Sequence, residues 1–438
     1  METEKFSSSE EIQNPVLRRF LTNLTKSFAL PAEIRDFDNQ LEQLRKIIAS
    51  RRDVISTGII TSAVYLWPRI LKEFFELVRA PQALTLKELS EIAPNSVAFG
   101  YSPHNNKLQE MKRNNEQIGY TAPAVNLFHH WTIHRNIKNE HGGEVNNPYL
   151  DFLDEKAFEN IKEFIDQDVL VMVSSGFSPG DDSSDQRIFR EMVQNPEVEA
   201  YLRRLANQFR DLGSTVLFRP FFEMNGNWWN YGANGENTSA DFIKAWQKLV
   251  TIFREEGADN VLFVWCPNST IIPFNTAPIK DYYPEDEFVD IVGLNVFDRH
   301  ETELIDFENG YLQLNIDGYF LQPGASALAN FGLDLEFLQS TGKPMIIAEL
   351  GSTRRNKARA EWELSAVELA IRAGVRLILY FVWNKQDEDS PLEQNWMHEA
   401  DEGMVEMVNK VSHEKYAYQK PSYNNINQLV RRLLSHVH

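Results

Sequence analysis

Two glutamates stand at the ends of apolar, β-type runs in this sequence. Glu223 follows a run that begins at Thr215, within the stretch RPFFEMNGNWW, and Glu349 ends a run that begins at Pro344. An isolated carboxylate is costly to bury, so one in such a place is either paired or used in chemistry. Arg219 lies four residues before Glu223, which predicts that Glu223 is either half of a buried ion pair or a working acid.

Two carboxylates in unlike surroundings can take opposite parts in one reaction. A guanidinium near one glutamate lowers the pKa of that group, whereas burial among aromatic rings raises the pKa of the other. Hydrolysis of a glycosidic bond requires one carboxyl group that is protonated and one that is ionised. Glu223 and Glu349, with Arg219 as the source of asymmetry, therefore favour a glycosidase. The competing interpretation is that they are unrelated structural carboxylates.

Eight short apolar runs predict the elements that hold these residues. The runs cover residues 97–101, 123–128, 169–177, 215–222, 261–265, 291–297, 344–350 and 377–383. Helical patterns lie between most of them, at 156–166, 196–212, 240–256, 333–341 and 359–373. Strands that alternate with helices pair in parallel through right-handed crossovers, and eight such units most naturally close into a (β/α)8 TIM barrel. The predicted class is thus α/β, with catalytic residues at the C-terminal ends of the strands.

The ends of the other runs carry polar and aromatic residues that could bind a ligand. Aromatic side chains beside polar groups suit the apolar faces of sugar rings. The sequence predicts that the substrate-binding residues at this end of the barrel are His129, His130, Trp131, Asn225, Trp228, Trp265, Asn268, Asn295, Phe297 and Trp383.

Charge and composition narrow the choice of partner. The chain of 438 residues has a formal net charge of -19, which argues against nucleic acid because polyanion binding needs clustered Lys and Arg. Aromatic residues make up 12% of the chain and include nine Trp, which favours a neutral polysaccharide or oligosaccharide. Cys266 is the single cysteine, so an internal disulfide and a multi-cysteine metal site are excluded.

Four histidines after residue 128 admit a metal-binding interpretation. His130 and His134 have the four-residue spacing that would bring both to one helical face. No glutamate completes an H-E-x-x-H arrangement, and a strand rather than a long helix precedes them. We therefore expect neither a metal nor a cofactor.

Residues 1–90 are predicted to form a mainly helical extension that precedes a barrel domain at 91–438. Arg51 and Arg52 stand before a mildly apolar run that ends at Trp67, and this resembles a twin-arginine export signal. No A-x-A cleavage site follows the run before Pro81, so an amphipathic helix with solvent-facing arginines explains the pattern equally well. Export and a cytoplasmic location both stay open, and membrane contact is expected only through this segment.

Four segments, taken in order, resemble glycoside hydrolase family 26, whose best-known members are endo-β-1,4-mannanases. The segments are RPFFEMNGNWW, GADNVLFVWCPN, YYPEDEFVDIVGLNVF and KPMIIAELGS. The resemblance implies a retaining (β/α)8 enzyme with its acid/base, Glu223, on the fourth strand and its nucleophile, Glu349, on the seventh. It further implies that Trp228 and Trp383 stack on sugars and that the segment 129–131 lines the inner subsite.

Three positions depart from the pattern of that family. Phe222 stands where the family usually has His, and Asn295 and Phe297 stand where it usually has Asp and Tyr. Losing hydrogen bonds to a buried sugar or to the nucleophile costs about 1 to 3 kcal/mol each, which is enough to change the substrate or lower the rate. The first hypothesis is a retaining endo-β-glycosidase acting on mannan or a related β-glucan or β-xylan. The alternative is a carbohydrate-binding pseudoenzyme that uses the same groove.

Overall fold

The computed structural model describes most of the C-terminal four fifths of the chain. The chain divides into two compact units, Met1–Phe74 and Phe75–His438. The described residues all belong to the second unit and are 96–103, 106–129, 131–133, 155–179, 188–226, 229, 231–232, 237–269, 277–298, 304–305, 312–313, 323–353, 358–385, 394–395, 401–418 and 426–434. The predicted extension, with Arg51 and Arg52, lies outside them, and its interpretations stay predictions.

Within the described ranges, eight parallel strands close into a barrel in the order β1-β8-β7-β6-β5-β4-β3-β2. Each of the eight apolar runs overlaps one of these strands, which confirms the predicted (β/α)8 fold. The strands are β1 (Ala98–Pro103), β2 (Ala124–Phe128), β3 (Leu170–Ser175), β4 (Val216–Pro220), β5 (Val261–Trp265), β6 (Ile291–Asp298), β7 (Met345–Ser352) and β8 (Val375–Val382).

Helices connect these strands and cover the outside of the barrel. The predicted helical segments are found with ends that differ by one or two residues, except that the helix predicted from residue 333 begins at Pro323. The helices are α1 (Leu108–Ile118), α2 (Glu155–Asp166), α3 (Ile188–Gln194), α4 (Pro196–Asp211), α5 (Ser239–Glu255), α6 (Pro323–Ser340), α7 (Arg359–Arg372), α8 (Glu402–Ser412) and α9 (Ile426–Leu434).

The loops contain short 3-10 turns and small two-stranded sheets. Two 3-10 turns, Ile279–Tyr282 and Asp286–Phe288, lie between β5 and β6. Three additional two-stranded sheets pair Trp131–Ile133 with Phe177–Pro179, Leu304–Ile305 with Leu312–Gln313, and Asn384–Lys385 with Gln394–Asn395. No helix in the described ranges is both long enough and apolar enough to cross a membrane.

Successive side chains along each strand point alternately into the barrel and toward the helices. In β5, Val261, Phe263 and Trp265 pack in the cluster shared with the helices. Val264 and Cys266 instead pack inside the barrel. The interior cluster contains Ala98, Ala124, Leu170, Met172, Leu217, Val264, Cys266, Ile291, Ile346, Ala348, Leu377 and Leu379.

Helix α9 packs against this interior cluster through Leu429, Val430 and Leu433. Many members of the cluster come from the first half of their strands, so α9 lies against the N-terminal end of the barrel. The opposite end, where Arg219 and Glu349 end their strands, is the one at which (β/α)8 proteins carry their sites.

Candidate active site

Strand β4 places the side chain of Arg219 inside the barrel, and Glu223 lies in the turn that follows this strand. Leu217 faces the interior, so Arg219, two residues later, points the same way. Phe221 and Glu223 adopt left-handed backbone conformations, with φ of 51° and 58°, which non-glycine residues rarely do. The turn is held by hydrogen bonds from the Phe221 N–H to the Ser175 carbonyl at 2.7 Å and from the Glu223 N–H to the Cys266 carbonyl at 2.9 Å.

Glu349 reaches the interior because strand β7 is irregular. Ile346 and Ala348 face the interior, whereas Ile347 and Leu350 face the helices. Strict alternation after Ala348 would turn Glu349 outward. Instead, the pairing of β7 with β6 shifts register between Ile347 and Glu349, and such irregularities redirect a side chain. Glu349 is consequently buried inside the barrel.

The two glutamates share one hydrogen-bond donor. The Nδ2 atom of Asn295, on β6, donates to Oε1 of Glu223 and to Oε1 of Glu349, at 3.0 Å in each case. The two carboxylate oxygens are therefore separated by no more than twice 3.0 Å. The carboxyl groups of retaining glycosidases are about 5 to 5.5 Å apart, whereas those of inverting enzymes are about 6.5 to 9.5 Å apart.

Arg219 pairs with Glu349, not with Glu223, which corrects the ion pair considered from the sequence. Its Nη2 atom donates to Glu349 Oε1, and its Nη1 atom donates to Asn295 Oδ1 at 2.6 Å. The guanidinium is fully buried. Burial opposes its charge, yet the carboxylate of Glu349 holds the pKa of Arg219 above its usual value. By the same attraction the guanidinium favours the ionised form of Glu349.

Glu223 is held by neutral donors. In addition to the amide of Asn295, the indole Nε1 of Trp229 donates to Glu223 Oε2 at 3.0 Å. The Trp229 ring stacks on Tyr231, with ring centroids 5.6 Å apart. The Tyr231 hydroxyl donates to the Phe222 carbonyl at 2.9 Å, and burial, followed by the charge of Glu223, raises the pKa of Tyr231 well above its usual value.

Aromatic side chains surround the carboxylates at the C-terminal end of the barrel. The Phe222 ring lies 4.5 Å from the guanidinium carbon of Arg219 and meets Phe128 edge-on at 5.8 Å. Phe128 in turn meets Trp383 at 5.4 Å, and Trp383 stacks on Phe381 at 5.5 Å. Phe297 completes this aromatic rim by contacting Phe381 at 5.3 Å. The predicted residues Phe297 and Trp383 thus both contact Phe381 in this aromatic rim.

Three other predicted substrate-binding residues have structural partners instead. Trp265 is fully buried on the helix side of β5 and donates its Nε1 hydrogen to the Tyr282 carbonyl at 2.9 Å. Asn225 is also fully buried; its side chain donates to the Asn268 carbonyl and accepts from the Asn268 N–H, at 2.9 Å and 2.8 Å. Asn225 and Asn268 therefore join the loops after β4 and β5.

Several predicted positions lie at the edge of the described residues or beyond it. His129 is partly exposed, and its N–H donates to the Ser174 carbonyl at 3.0 Å. Trp131 begins a short strand, while the positions of His130, His134 and Trp228 lie outside the described residues. Among the residues that are described, no group of three His, Cys, Asp or Glu is arranged to hold a metal ion.

Sequence reasoning missed Trp229, Phe128, Phe381 and Asn126. Phe128 and Phe381 share the inward phase of Ala124 and Leu379, so alternation along their strands was the signal that could have found them. Asn126 shares the same phase as Phe128 and is a polar residue in an apolar run. Nothing in the sequence distinguishes Trp229 from its neighbour Trp228.

One family model matches part of the chain. The sequence model of glycosyl hydrolase family 26 matches residues 128–316, and this match confirms the resemblance seen in the sequence. The matched segment contains Glu223 and Asn295 and ends before Glu349.

Similar curated proteins include enzymes acting on two polysaccharides. Endoglucanase H of Acetivibrio thermocellus is 27% identical over 211 residues, which are 48% of this chain and 22% of that protein. A mannan endo-1,4-beta-mannosidase of Bacillus subtilis is 34% identical over 114 residues, or 24% of this chain and 30% of that protein. The chain thus spans less than half the length of these relatives.

Solved structures agree on the fold. The GH26 beta-mannanase of Bacteroides ovatus superposes with a TM-score of 0.51 and 14% identity, covering 78% of this chain and 97% of that one. GH26C from Muricauda sp. superposes with a TM-score of 0.52 and 12% identity, covering 76% and 89%.

Proposed function

We propose that this protein is a retaining endo-β-glycosidase that hydrolyses a β-linked polysaccharide. The observation that carries the proposal is the shared donor: one amide nitrogen of Asn295 lies 3.0 Å from a carboxylate oxygen of Glu223 and 3.0 Å from one of Glu349. This spacing suits direct attack on the anomeric carbon and is too short for an interposed water on the opposite face of the sugar.

The surroundings of each glutamate support the division of labour. Glu349 faces the fixed positive charge of Arg219, which keeps a nucleophile ionised. Glu223 receives hydrogen bonds from the neutral Asn295 amide and Trp229 indole, whereas Arg219 donates to Glu349, so the two carboxylates have different surroundings. Glu349 attacks the anomeric carbon while Glu223 protonates the departing oxygen. Glu223 then removes a proton from a water molecule that attacks the anomeric carbon, which breaks the bond to Glu349 and releases the sugar with its configuration retained.

The aromatic rim and the relatives indicate the substrate. Aromatic rings beside the carboxylates suit the apolar faces of a sugar chain. Relatives named as a mannan endo-1,4-beta-mannosidase and as an endoglucanase favour mannan or a β-glucan, with β-xylan as the third candidate to assay.

Substitution of each glutamate tests its proposed role separately. Glu349→Gln is expected to abolish turnover while ligand binding persists. Glu223→Ala is expected to retain more activity on an aryl glycoside, whose leaving group needs little protonation, than on the polysaccharide. Azide should accelerate this variant by replacing the water that Glu223 would activate. Near-normal turnover by Glu349→Gln, or equal losses by Glu223→Ala on both substrates, would refute these roles.

One observation favours a second candidate function. Phe222 and Phe297 offer apolar rings where polar contacts to a bound sugar are usual in this family, which is what a carbohydrate-binding protein without turnover could tolerate. An assay of reducing ends on mannan, mixed-linkage glucan and β-1,3-xylan decides between the two. Product from any one establishes the enzyme, and binding without product from all three establishes the pseudoenzyme.

A further inference from the structure

A line of buried hydrogen bonds leads away from Arg219 across the inside of the barrel. The Arg219 Nε atom donates to Ser174 Oγ at 2.7 Å. Ser174 Oγ donates to Asn126 Oδ1, and Asn126 Nδ2 donates to Ser102 Oγ at 3.0 Å. These four residues lie on the neighbouring strands β4, β3, β2 and β1 and are fully buried.

The guanidinium sets the direction of every hydrogen bond in this line. Arginine can only donate, so Ser174 must accept from Nε and is left with its own hydrogen to give. The carbonyl oxygen of Asn126 accepts that hydrogen, which directs the amide nitrogen of Asn126 toward Ser102. Hydrogen bonds aligned in one direction polarise one another, and this strengthens each of them in a dry interior.

The line completes the set of contacts that orient the guanidinium. Asn295 accepts from Nη1, Glu349 accepts from Nη2, and Ser174 accepts from Nε. The ring of Phe222 covers one face at 4.5 Å. Ser174 is thus the acceptor for Nε, and removing its hydroxyl would leave the guanidinium plane less firmly held.

We infer that Ser174 and Asn126 are positioning residues that hold Arg219 against Glu349 and thereby keep the nucleophile ionised at the low end of the working pH range. The inference rests on the proposed glycosidase function. Neither residue touches the reacting atoms; Ser174 acts through Arg219, and Asn126 acts through Ser174.

Other titratable groups facing the pair do not change with these residues. Glu223 approaches from the turn after β4, and Cys266 approaches at the end of β5, 3.6 Å from Arg219 Nη1. Tyr231 lies in the loop after β4. Burial raises the pKa of Cys266 to about 12 and that of Tyr231 well above its usual value, so both are neutral across the acidic and neutral range. The acidic limb of the pH profile therefore reports on the carboxyl groups, and among the described residues it is Glu349 that pairs with the guanidinium contacted by Ser174.

The chain supplies a matched control in the next residue. Ser175 is as fully buried as Ser174, but it points away from the interior, and among the described residues its hydroxyl has no hydrogen-bond partner. Ser174→Ala and Ser175→Ala therefore remove the same atom from adjacent positions, one inside the line and one outside it. Asn126→Ala removes the next link and leaves the Ser174 hydroxyl in place.

The experiment measures kcat/KM against pH for the three variants and the wild type. Ser174→Ala is expected to lower kcat/KM by about 10- to 100-fold and to move the acidic limb upward by roughly 0.5 to 1 pH unit. Asn126→Ala should move the limb in the same direction by less. Ser175→Ala should leave it unchanged. Equal acidic limbs in Ser174→Ala and Ser175→Ala would overturn the inference, and if Ser174→Ala does not fold, an unmoved limb in Asn126→Ala does the same.

A second experiment tests the positioning role by NMR and does not require that the protein hydrolyse a substrate. The buried Nε–H of Arg219 should give an exchange-protected NMR signal, identified by its loss in Arg219→Lys. Ser174→Ala should shift or expose this signal, and Ser175→Ala should not. If the wild type hydrolyses no substrate while the signal responds as expected, the proposed function falls but the line of contacts stands. A signal that is the same in all variants overturns the positioning role.

Discussion

At the scale of single residues, the side-chain amide of Asn295 both accepts and donates hydrogen bonds in the site, which no other side chain of its size could do. Its oxygen accepts from Arg219 at 2.6 Å, and its nitrogen donates to both glutamates at 3.0 Å. An aspartate could accept but could not donate, and an alanine could do neither. Asn295 thus donates to both carboxylates at the point where they meet.

Asn295→Asp tests this arrangement. Three carboxyl groups would then meet around one arginine, and the cluster would bind an additional proton in the folded state. A group whose pKa is raised by folding stabilises the protein below its ordinary pKa, and that contribution is lost as pH rises. Relative to wild type, the variant should lose free energy of unfolding as pH rises above about 4. Its kcat/KM at neutral pH should fall by about 100-fold or more.

Asn295→Ala is the control for the added charge. It removes the donated hydrogen bonds that Asn295→Asp also removes, together with the one accepted from Arg219, and should also lower kcat/KM, but it introduces no carboxyl group. Its free energy of unfolding, measured by urea denaturation from pH 4 to pH 8, should follow the pH dependence of the wild type. Parallel curves for Asn295→Asp and Asn295→Ala would contradict the explanation.

The key residues of the candidate site could be predicted from the sequence because they end strands. Arg219 and Glu349 lie in the second half of their apolar runs, and Glu223 follows its run directly, at the end where a barrel carries its site. The partner of Arg219 could not be predicted, because sequence proximity favoured Glu223 whereas the interior geometry favours Glu349. Trp265 was assigned to the site because it ends its run, but a run that is apolar throughout does not show which residues face inward.

At the scale of elements, the irregularity in β7 decides which side of the strand carries Glu349. The segment is apolar from Met345 to Ala348, and a sequence pattern of this kind predicts a buried strand without locating a register shift. The turn after β4 raises the same difficulty, because positive φ values at Phe221 and Glu223 carry no glycine signal in the sequence. The strands were therefore predictable, but the directions of side chains at their ends were not.

Helix α9 permits a prediction on stability alone. Leu433 is 2% exposed and packs in the interior cluster at the N-terminal end of the barrel. Leu433→Ala should lower the free energy of unfolding by about 2 to 4 kcal/mol, since a buried leucine leaves a cavity that is only partly filled by relaxation. Because the change lies at the end opposite the glutamates, kcat should stay the same.

Asn427→Ala is the control on the same helix, since Asn427 is exposed. Thermal and urea unfolding of both variants should show a loss only for Leu433→Ala. A kcat that falls in step with stability in Leu433→Ala would show that the two ends of the barrel are coupled, contrary to this expectation.

At the scale of the whole molecule, the side chains inside the barrel change from apolar to polar to aromatic along the barrel axis. Helix α9 and apolar side chains fill one end, a polar layer crosses the interior, and the aromatic rim surrounds the other end. The polar layer consists of Ser102, Asn126, Ser174, Arg219, Asn295 and Glu349. Its hydrogen bonds allow ionised groups to lie deep in the protein, because buried charge is tolerated where each donor and acceptor is paired.

Burial of neutral acids inside the protein predicts a loss of stability at high pH. Burial raises the pKa of Cys266 from its usual 9.0 to about 12, and burial likewise raises the pKa of Tyr101, Tyr120 and Tyr380 above the usual range. Each group is neutral when protonated, so the folded state holds the proton that the unfolded state releases. The contribution is present below the unfolded pKa and is lost as pH rises through the folded pKa.

Cys266→Ala isolates one part of this loss. The unfolded thiol ionises above pH 9.0 and the folded thiol does not until about 12, so between pH 8 and pH 10 the cysteine alone should cost the wild type about 1.4 kcal/mol of unfolding free energy. Cys266→Ala retains the tyrosines. Its smaller side chain changes the unfolding free energy by the same amount at every pH. Urea denaturation under reducing conditions should therefore give a steeper decline for the wild type than for Cys266→Ala. Equal declines would show that the thiol is not shielded from ionisation in the folded barrel.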